Sequence, residues 1–204
     1  GVFDGNYKTI YGAYVNRTTA GTVGIFGSVV GATIQNVTLK DFYFNAGGAL
    51  AALASWVNTT ETTIKGVTVE NCYLKSTGTV GAIISSTYNC KVNVIDCTYI
   101  KGPNGRIEGV PSSTGGTGSI YADWWGTGGI YATNCISIGY YPAGDVGNST
   151  FVPTNVCTDT DYLVTNYSGV TKAETNAFKG AKAYDLGAFV PKNGWIVETE
   201  DSLI

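Results

Sequence analysis

A loose repeat constrains this chain more than any other feature. Residues 23–44 read VGIFGSVVGATIQNVTLKDFYF: a short glycine-bounded apolar strand at 24–27, a turn of small residues, then an alternating strand that reaches Asn36 and beyond. Three later stretches return to the pattern, at 50–74 (LAALAS…TIKGVTVENCYL), 80–100 (VGAIIS…VNVIDCTYI) and 119–138 (SIYADWWGTGGIYATNCISI). One such unit cannot bury its apolar side alone. Stacked on the next copy, it pairs every strand and closes a narrow continuous core. An antiparallel sandwich also uses many short strands, but it has no reason to repeat one tripeptide at strand ends. Here Glu70-Asn71-Cys72, Ile95-Asp96-Cys97 and Thr133-Asn134-Cys135 do repeat. The expected fold is therefore all-β, a single-stranded parallel β-helix (solenoid) forming one domain over 1–204.

The irregular step at Asn36 marks a corner, where an Asn can hydrogen-bond its counterparts in the layers above and below. Asn36, Asn71, Asp96 and Asn134 are expected to form one such ladder, with loops of unequal length explaining separations of 35, 25 and 38 residues. Ile25, Phe26, Ile34, Val37 and Leu39 are the matching core candidates. Cys72, Cys97 and Cys135 share one repeat position, so their sulfurs are expected to stack. Parallel strands lie about 4.8 Å apart, within a disulfide's reach. The favoured reading is instead an inward ladder of small apolar thiols. Cys90 and Cys157 bring the count to five, an odd number that leaves at least one unpaired within the chain.

The segment 101–118, KGPNGRIEGVPSSTGGTG, has no periodicity and is expected to be an inserted surface loop. Residues 151–164 are expected to hold the last strands. Thr171 and Glu174 form a capping box, which predicts a short C-terminal helix near 171–179, ended by Gly180. Residues 165–204 then close and cap the stack, with Trp195-Ile196-Val197 as a closing strand.

The opening GVFDGNYKTIYG resembles the G-x-F-D-G-N-G-x-T-I-x-G motif of bacterial surface proteins that bear GLUG repeats. In that family a G-L-F-G strand precedes an I-x-N-L/C-x-L/V strand, and VGIFG…ATIQNVTL is similar to it. VGAIIS…VNVIDCTYI departs at its second glycine, which is serine here, and SIYADWWGTGGIYATNCISI departs further. The C-terminal AFKGAKAYDLG…GWIVETEDSLI looks like the segment that closes such domains. Apart from 101–118 the resemblance covers nearly all the chain. It implies a right-handed parallel β-helix in a secreted or surface-anchored protein with adjoining domains. It carries over no catalytic residue, because the repeats are scaffold.

Only 13% of the residues are charged, about half the usual share, while 44% are hydrophobic. That balance, rich in Thr, Gly and Tyr, fits an extracellular β protein with a polar but uncharged surface. A net charge of −3 with no basic cluster argues against nucleic acid as a partner. No apolar run is long enough to predict a membrane span. The absence of histidine removes the commonest general base and metal ligand. With no methionine and no leader, the chain is expected to be a piece of a longer secreted protein, extracellular or at the cell surface.

No catalytic constellation stands out. Glycoside hydrolysis needs two carboxylates facing each other across a sugar. Of the acids on repeats (Asp41, Glu70, Asp96 and Asp123), only Asp123 sits beside aromatic residues, and Arg106 and Glu108 are the groups placed to approach it. Tyr121, Asp123, Trp124, Trp125 and Arg106 are the candidate binding residues, because aromatic faces suit the apolar C–H faces of sugars. Packing of these tryptophans against the wall is the plainer alternative, and Trp56 and Trp195 are expected to be packing residues. Tyr7, Tyr11, Tyr14, Tyr140 and Tyr141 are candidates for one decorated wall. No cofactor or metal site is expected; Asp159-Thr160-Asp161 is a weak hint of Ca2+. The expected function is an extracellular structural or adhesion module, binding glycan or a host or neighbour surface protein on one wall. The alternatives are a fragment of a polysaccharide-active lyase or glycosidase, and a subunit of an extracellular filament.

Overall fold

The computed structural model describes residues 1–109, 116–144, 151–160 and 168–179, with Trp124 as backbone only. Its class is all-β. The strands form one ten-stranded, two four-stranded and one three-stranded sheet, and the pairings between them are parallel. The chain visits the sheets in a fixed order. Val29–Val30 leads to Thr33–Lys40, Tyr43–Ala46 and Leu50–Ala51. The next circuit is Ala54–Asn58, Thr62–Glu70, Tyr73–Ser76 and Val80–Gly81. Ile84–Tyr88, Lys91–Ile95 with Thr98–Ile100, Arg106–Glu108 and Thr117–Gly118 make the following one. Each strand lies on its counterpart of the circuit before. Val2–Tyr11 and Tyr14–Asn16 flank the stack on one side; Tyr121–Trp125, Gly129–Thr133 and Ile136–Ile138 extend it on the other.

The strands are alternating β-branched segments whose inward residues line up in columns. Ile34, Ile64, Val94 and Ala132 form one such column, and Leu39, Val69 and Tyr99 another. Phe44, Leu74 and Ile107 form a third, and all of these residues are buried. Ile34, Val37 and Leu39 are core as expected, while Ile25 and Phe26 pack on it half-buried. The 24–27 segment joins its neighbours through isolated bridges, Val23 to Leu50 and Phe26 to Ala54, rather than as a regular strand.

Three columns of left-handed residues turn the chain. One holds Gly31, Thr59, Asn89 and Gly126; a second holds Asn36, Gly66, Asp96, Asn134 and Asn155; a third holds Gly12, Asp41 and Asn71. Glycine adopts this conformation freely, and Asn and Asp tolerate it because their short polar side chains bond locally. The expected single ladder is thereby corrected. Asn36, Asp96 and Asn134 share a column, with Asn134 Nδ2 donating to Asp96 Oδ1 at 3.2 Å. Asn71 belongs to the next corner and donates to Asp41 Oδ1 at 2.6 Å. Gly66 (φ +59°) fills the place between Asn36 and Asp96. The true offset is 30 residues between the early layers, then 38, then 21.

The cysteines split in the same way. Cys97 and Cys135 are neighbours in register, whereas Cys72 lies in the column of Phe42 at the other corner. All five thiols are free and buried. Three of them donate to the carbonyl two residues back: Cys72 to Glu70 at 3.3 Å, Cys97 to Ile95 at 3.2 Å and Cys135 to Thr133 at 3.4 Å. Burial pushes the Cys72 thiol up to about 12, and burial followed by the adjacent Cys97 pushes Cys135 up as well.

Two further expectations change. The segment 101–118 carries two paired strands, Arg106–Glu108 and Thr117–Gly118, and Ile107 is buried, so part of it belongs to the stack. No α-helix forms at 171–179. Val170–Lys172 pairs in parallel with Val156–Thr158, and only a single 3-10 turn, Thr175–Phe178, follows. Thr171 is thus a strand residue and not a cap. Phe178 packs with Ile136, Ile138 and Cys157. The closing strand at Trp195-Ile196-Val197 lies outside the described residues.

Candidate functional site

Two outer walls carry aromatic columns. On the first, Tyr14, Tyr43, Tyr73 and Arg106 stand in register. The tyrosine rings stack on one another, with centroids 5.2 Å and 4.9 Å apart and planes within 14° and 4°. Beside them runs the column Asn16, Asn45, Lys75 and Glu108. Asn45 Nδ2 donates to Asn16 Oδ1 at 3.0 Å. Glu108 pairs with Lys75 at 3.3 Å and Arg106 at 2.7 Å. These side chains direct their ring faces and charges at one another.

The second wall is the sheet of Val29–Val30, Ala54–Asn58, Ile84–Tyr88 and Tyr121–Trp125. Its outer columns are Ser28, Trp56, Ser86 and Asp123, and next to them Val30, Asn58, Tyr88 and Trp125. Trp125 is 46% and Tyr88 43% exposed, in adjacent layers. The Trp125 indole leans back along its strand and donates Nε1–H to Asp123 Oδ2 at 2.6 Å. Trp56 leans the other way and donates to Asn58 Oδ1 at 2.5 Å. Asn58 in turn donates to Ser28 Oγ at 3.2 Å. Among the described residues, none of these three rings is stacked on another ring. Asp123 is 2% exposed, so the wall shows no open charge.

The sequence-predicted site residues separate. Tyr121 points inward at 0% exposure and packs on Phe151, with centroids 5.4 Å apart, so it offers no face to a ligand. Asp123 holds an indole. Trp125 remains exposed, and the Trp124 side chain lies outside what is described. Arg106 is on the other wall, paired with Glu108, and does not join Asp123. The remaining acids serve the scaffold: Glu70 pairs with Lys40 at 2.6 Å, and Asp41 and Asp96 accept from ladder asparagines. Asp159 accepts from the Gly139 N–H at 2.6 Å and the Thr175 hydroxyl at 2.7 Å; Asp161 lies outside the described residues. Among the described residues no cluster of three or more His, Cys, Asp or Glu side chains is arranged to hold a metal, and no helix is long and apolar enough to cross a membrane.

Tyr7 and Tyr11 lie on the ten-stranded sheet, Tyr14 joins the tyrosine column, and Tyr140 stacks on Tyr141 at 4.3 Å. The expected decorated wall therefore draws only Tyr14 from that set. Sequence reasoning missed Tyr43 and Tyr73 on the first wall and Tyr88 on the second. It also placed Trp56 as packing, although that side chain is half-buried on an outer face. The signal was position relative to the corners. Tyr14, Tyr43 and Tyr73 each follow a left-handed residue by two, while Tyr88 and Trp125 each precede one. Comparisons with family models, curated proteins and solved structures find no match.

Proposed function

We propose that this chain is a glycan-binding structural module of an extracellular surface protein, built as a right-handed parallel β-helix of the GLUG-repeat kind. The observation that carries the binding assignment is the second wall. Trp56 and Trp125 are pinned by side chains of their own strands, and Trp125 and Tyr88 keep unstacked, solvent-facing rings. Rings fixed before a ligand arrives lose little entropy on binding it, and an aromatic face beside amide and hydroxyl groups suits a sugar. Support for the solenoid comes from the fixed order of sheets and the 30-residue offset of the early layers. Support for an extracellular setting comes from the low charge and the resemblance of VGIFG…ATIQNVTL to surface-protein repeats. The test is a glycan array probed with the wild type and a Tyr88→Ala/Trp125→Ala double variant. Binding of some glycan by the wild type, lost in the variant, is the expected result. A wild type that captures no glycan removes the binding role.

A further inference from the structure

We infer that the Trp56, Tyr88 and Trp125 wall takes a neutral, linear, β-linked hexose chain running across the strands, an inference that rests on the glycan-binding reading above. Three observations select this ligand class. The first is spacing. Tyr88 and Trp125 stand opposite each other in adjacent layers, and Trp56 lies one layer further on, two residues away along the strand direction. Adjacent parallel strands are about 4.8 Å apart. An extended β-linked hexose chain advances by close to that distance per sugar, so successive sugars meet successive layers. An α-1,4-linked glucan curls and loses this match after a sugar or two.

The second observation is charge. The two columns of this wall hold Ser28, Val30, Trp56, Asn58, Ser86, Tyr88, Asp123 and Trp125; Ser86 and Asp123 are buried, and the Asp123 carboxylate is hydrogen-bonded to an indole. The pair of Lys91 with Glu61 at 3.1 Å lies past the Thr59 and Asn89 corner and neutralises itself. Among the described residues no cation on this wall faces a uronate chain, whereas the first wall carries Lys75 and Arg106.

The third is the polar trim. Asn58 sits in the same column as Tyr88 and Trp125, so a carboxamide lies in line with the rings. Such a group can bond an equatorial hydroxyl at the edge of a sugar whose C–H face lies on the neighbouring ring.

The experiment is calorimetry of the intact chain with cellohexaose, maltohexaose and hexagalacturonate, repeated on Trp125→Ala, Tyr88→Ala and, as a control on the opposite wall, Tyr43→Ala. Cellohexaose is expected to bind best, with affinity rising from the disaccharide to about three sugars, the span of the three layers, and then levelling. Trp125→Ala and Tyr88→Ala are each expected to weaken it about tenfold, with Tyr43→Ala unchanged. Equal or tighter binding of maltohexaose or hexagalacturonate overturns the ligand class while leaving a glycan-binding module. Loss of binding in Tyr43→Ala but not in Trp125→Ala moves the site to the other wall and overturns the inference. Binding of no oligosaccharide here, together with an empty array, overturns the underlying function as well.

Discussion

The tyrosine wall and the tryptophan wall are built by one device: an aromatic side chain set at a fixed distance from a left-handed corner, repeated layer by layer. They differ in what the rings face. Tyr14, Tyr43 and Tyr73 stack on one another, so both faces of the central Tyr43 are consumed inside the column, while Tyr14 at its end stays 67% exposed. On the other wall, aromatic residues alternate with Ser86 and Asn58 across the two columns, and each indole is tied to its own strand. Among the described residues no ring there has an equivalent ring directly above it to stack on, except where Tyr88 meets Trp125, and that pair does not stack. An unbroken aromatic column therefore stabilises the stack, while an interrupted one leaves faces for a ligand.

The contrast breaks most directly at Tyr43, the central ring of the first column. Tyr43→Ala removes two stacking contacts and is expected to cost about 2 kcal/mol. That should appear as a melting temperature several degrees lower in calorimetry, with glycan capture intact. Trp125→Ala should cost under about 0.5 kcal/mol, as surface changes usually do, while losing capture. If the two variants melt alike, the division between a structural and a binding wall fails.

Next in size is the corner that sets both walls in register. Gly66→Ala places a Cβ on a left-handed residue, 3.1 Å from Asn36 Oδ1, and is expected to cost about 1–2 kcal/mol. Gly66→Asn should cost less, because Asn holds the same column at Asn36 and Asn134. Thermal melts of the two variants check this, and both should spare the difference between the walls.

A smaller effect is expected at Asp123. Removing the carboxylate with Asp123→Ala frees the Trp125 indole. Binding should fall about threefold, roughly 0.6 kcal/mol, and the tryptophan fluorescence anisotropy should drop. Asp123→Asn keeps an acceptor and should retain both. Unchanged anisotropy in Asp123→Ala means the indole is held by something else.

A separate, pH-dependent effect comes from the core and should be common to every variant. Burial raises the Cys72 thiol to about 12 and Cys157 to about 11, above the value of 9.0 for an ordinary thiol. Above that ordinary value the unfolded chain gives up these protons while the folded chain keeps them. Stability is then lost as pH rises from about 9 towards 12. Melts at about pH 8 and about pH 10.5 should show the same decline in wild type, Tyr43→Ala and Trp125→Ala. A decline confined to one wall variant would place its source outside the core.

The stacked all-β class was legible because a tripeptide recurs at strand ends and because Ile34, Val37 and Leu39 alternate with polar residues. The spacing was harder to read. Asn71 looks like the partner of Asn36, yet it stands five residues past the true partner, and that partner is Gly66. Glycine and asparagine are unlike as letters and alike as left-handed residues, so a ladder sought by side chain strayed to the next corner of that layer. The same slip hid Tyr43, Tyr73 and Tyr88, whose alignment depends on the 30-residue offset. Tyr121 misled in another way. It stands two residues before Asp123 on the same strand, yet it is fully buried and packs against Phe151. Arg106 sits close to Asp123 in the chain and on a different sheet, because the 101–118 segment spends three residues on a strand of its own.

The 30-residue offset of the early layers also makes length there a quantised property. Excising residues 36–65 would set Gly66 where Asn36 stood and leave a stack one storey shorter, with every column unbroken. Removing one residue more or fewer would swing the following strand over, carrying its aliphatic side chains to the solvent and its polar ones inward. Variation by whole storeys is cheap and variation by single residues within a wall is not. Excising that storey also shortens the tryptophan wall, because Trp56 and Asn58 lie within residues 36–65.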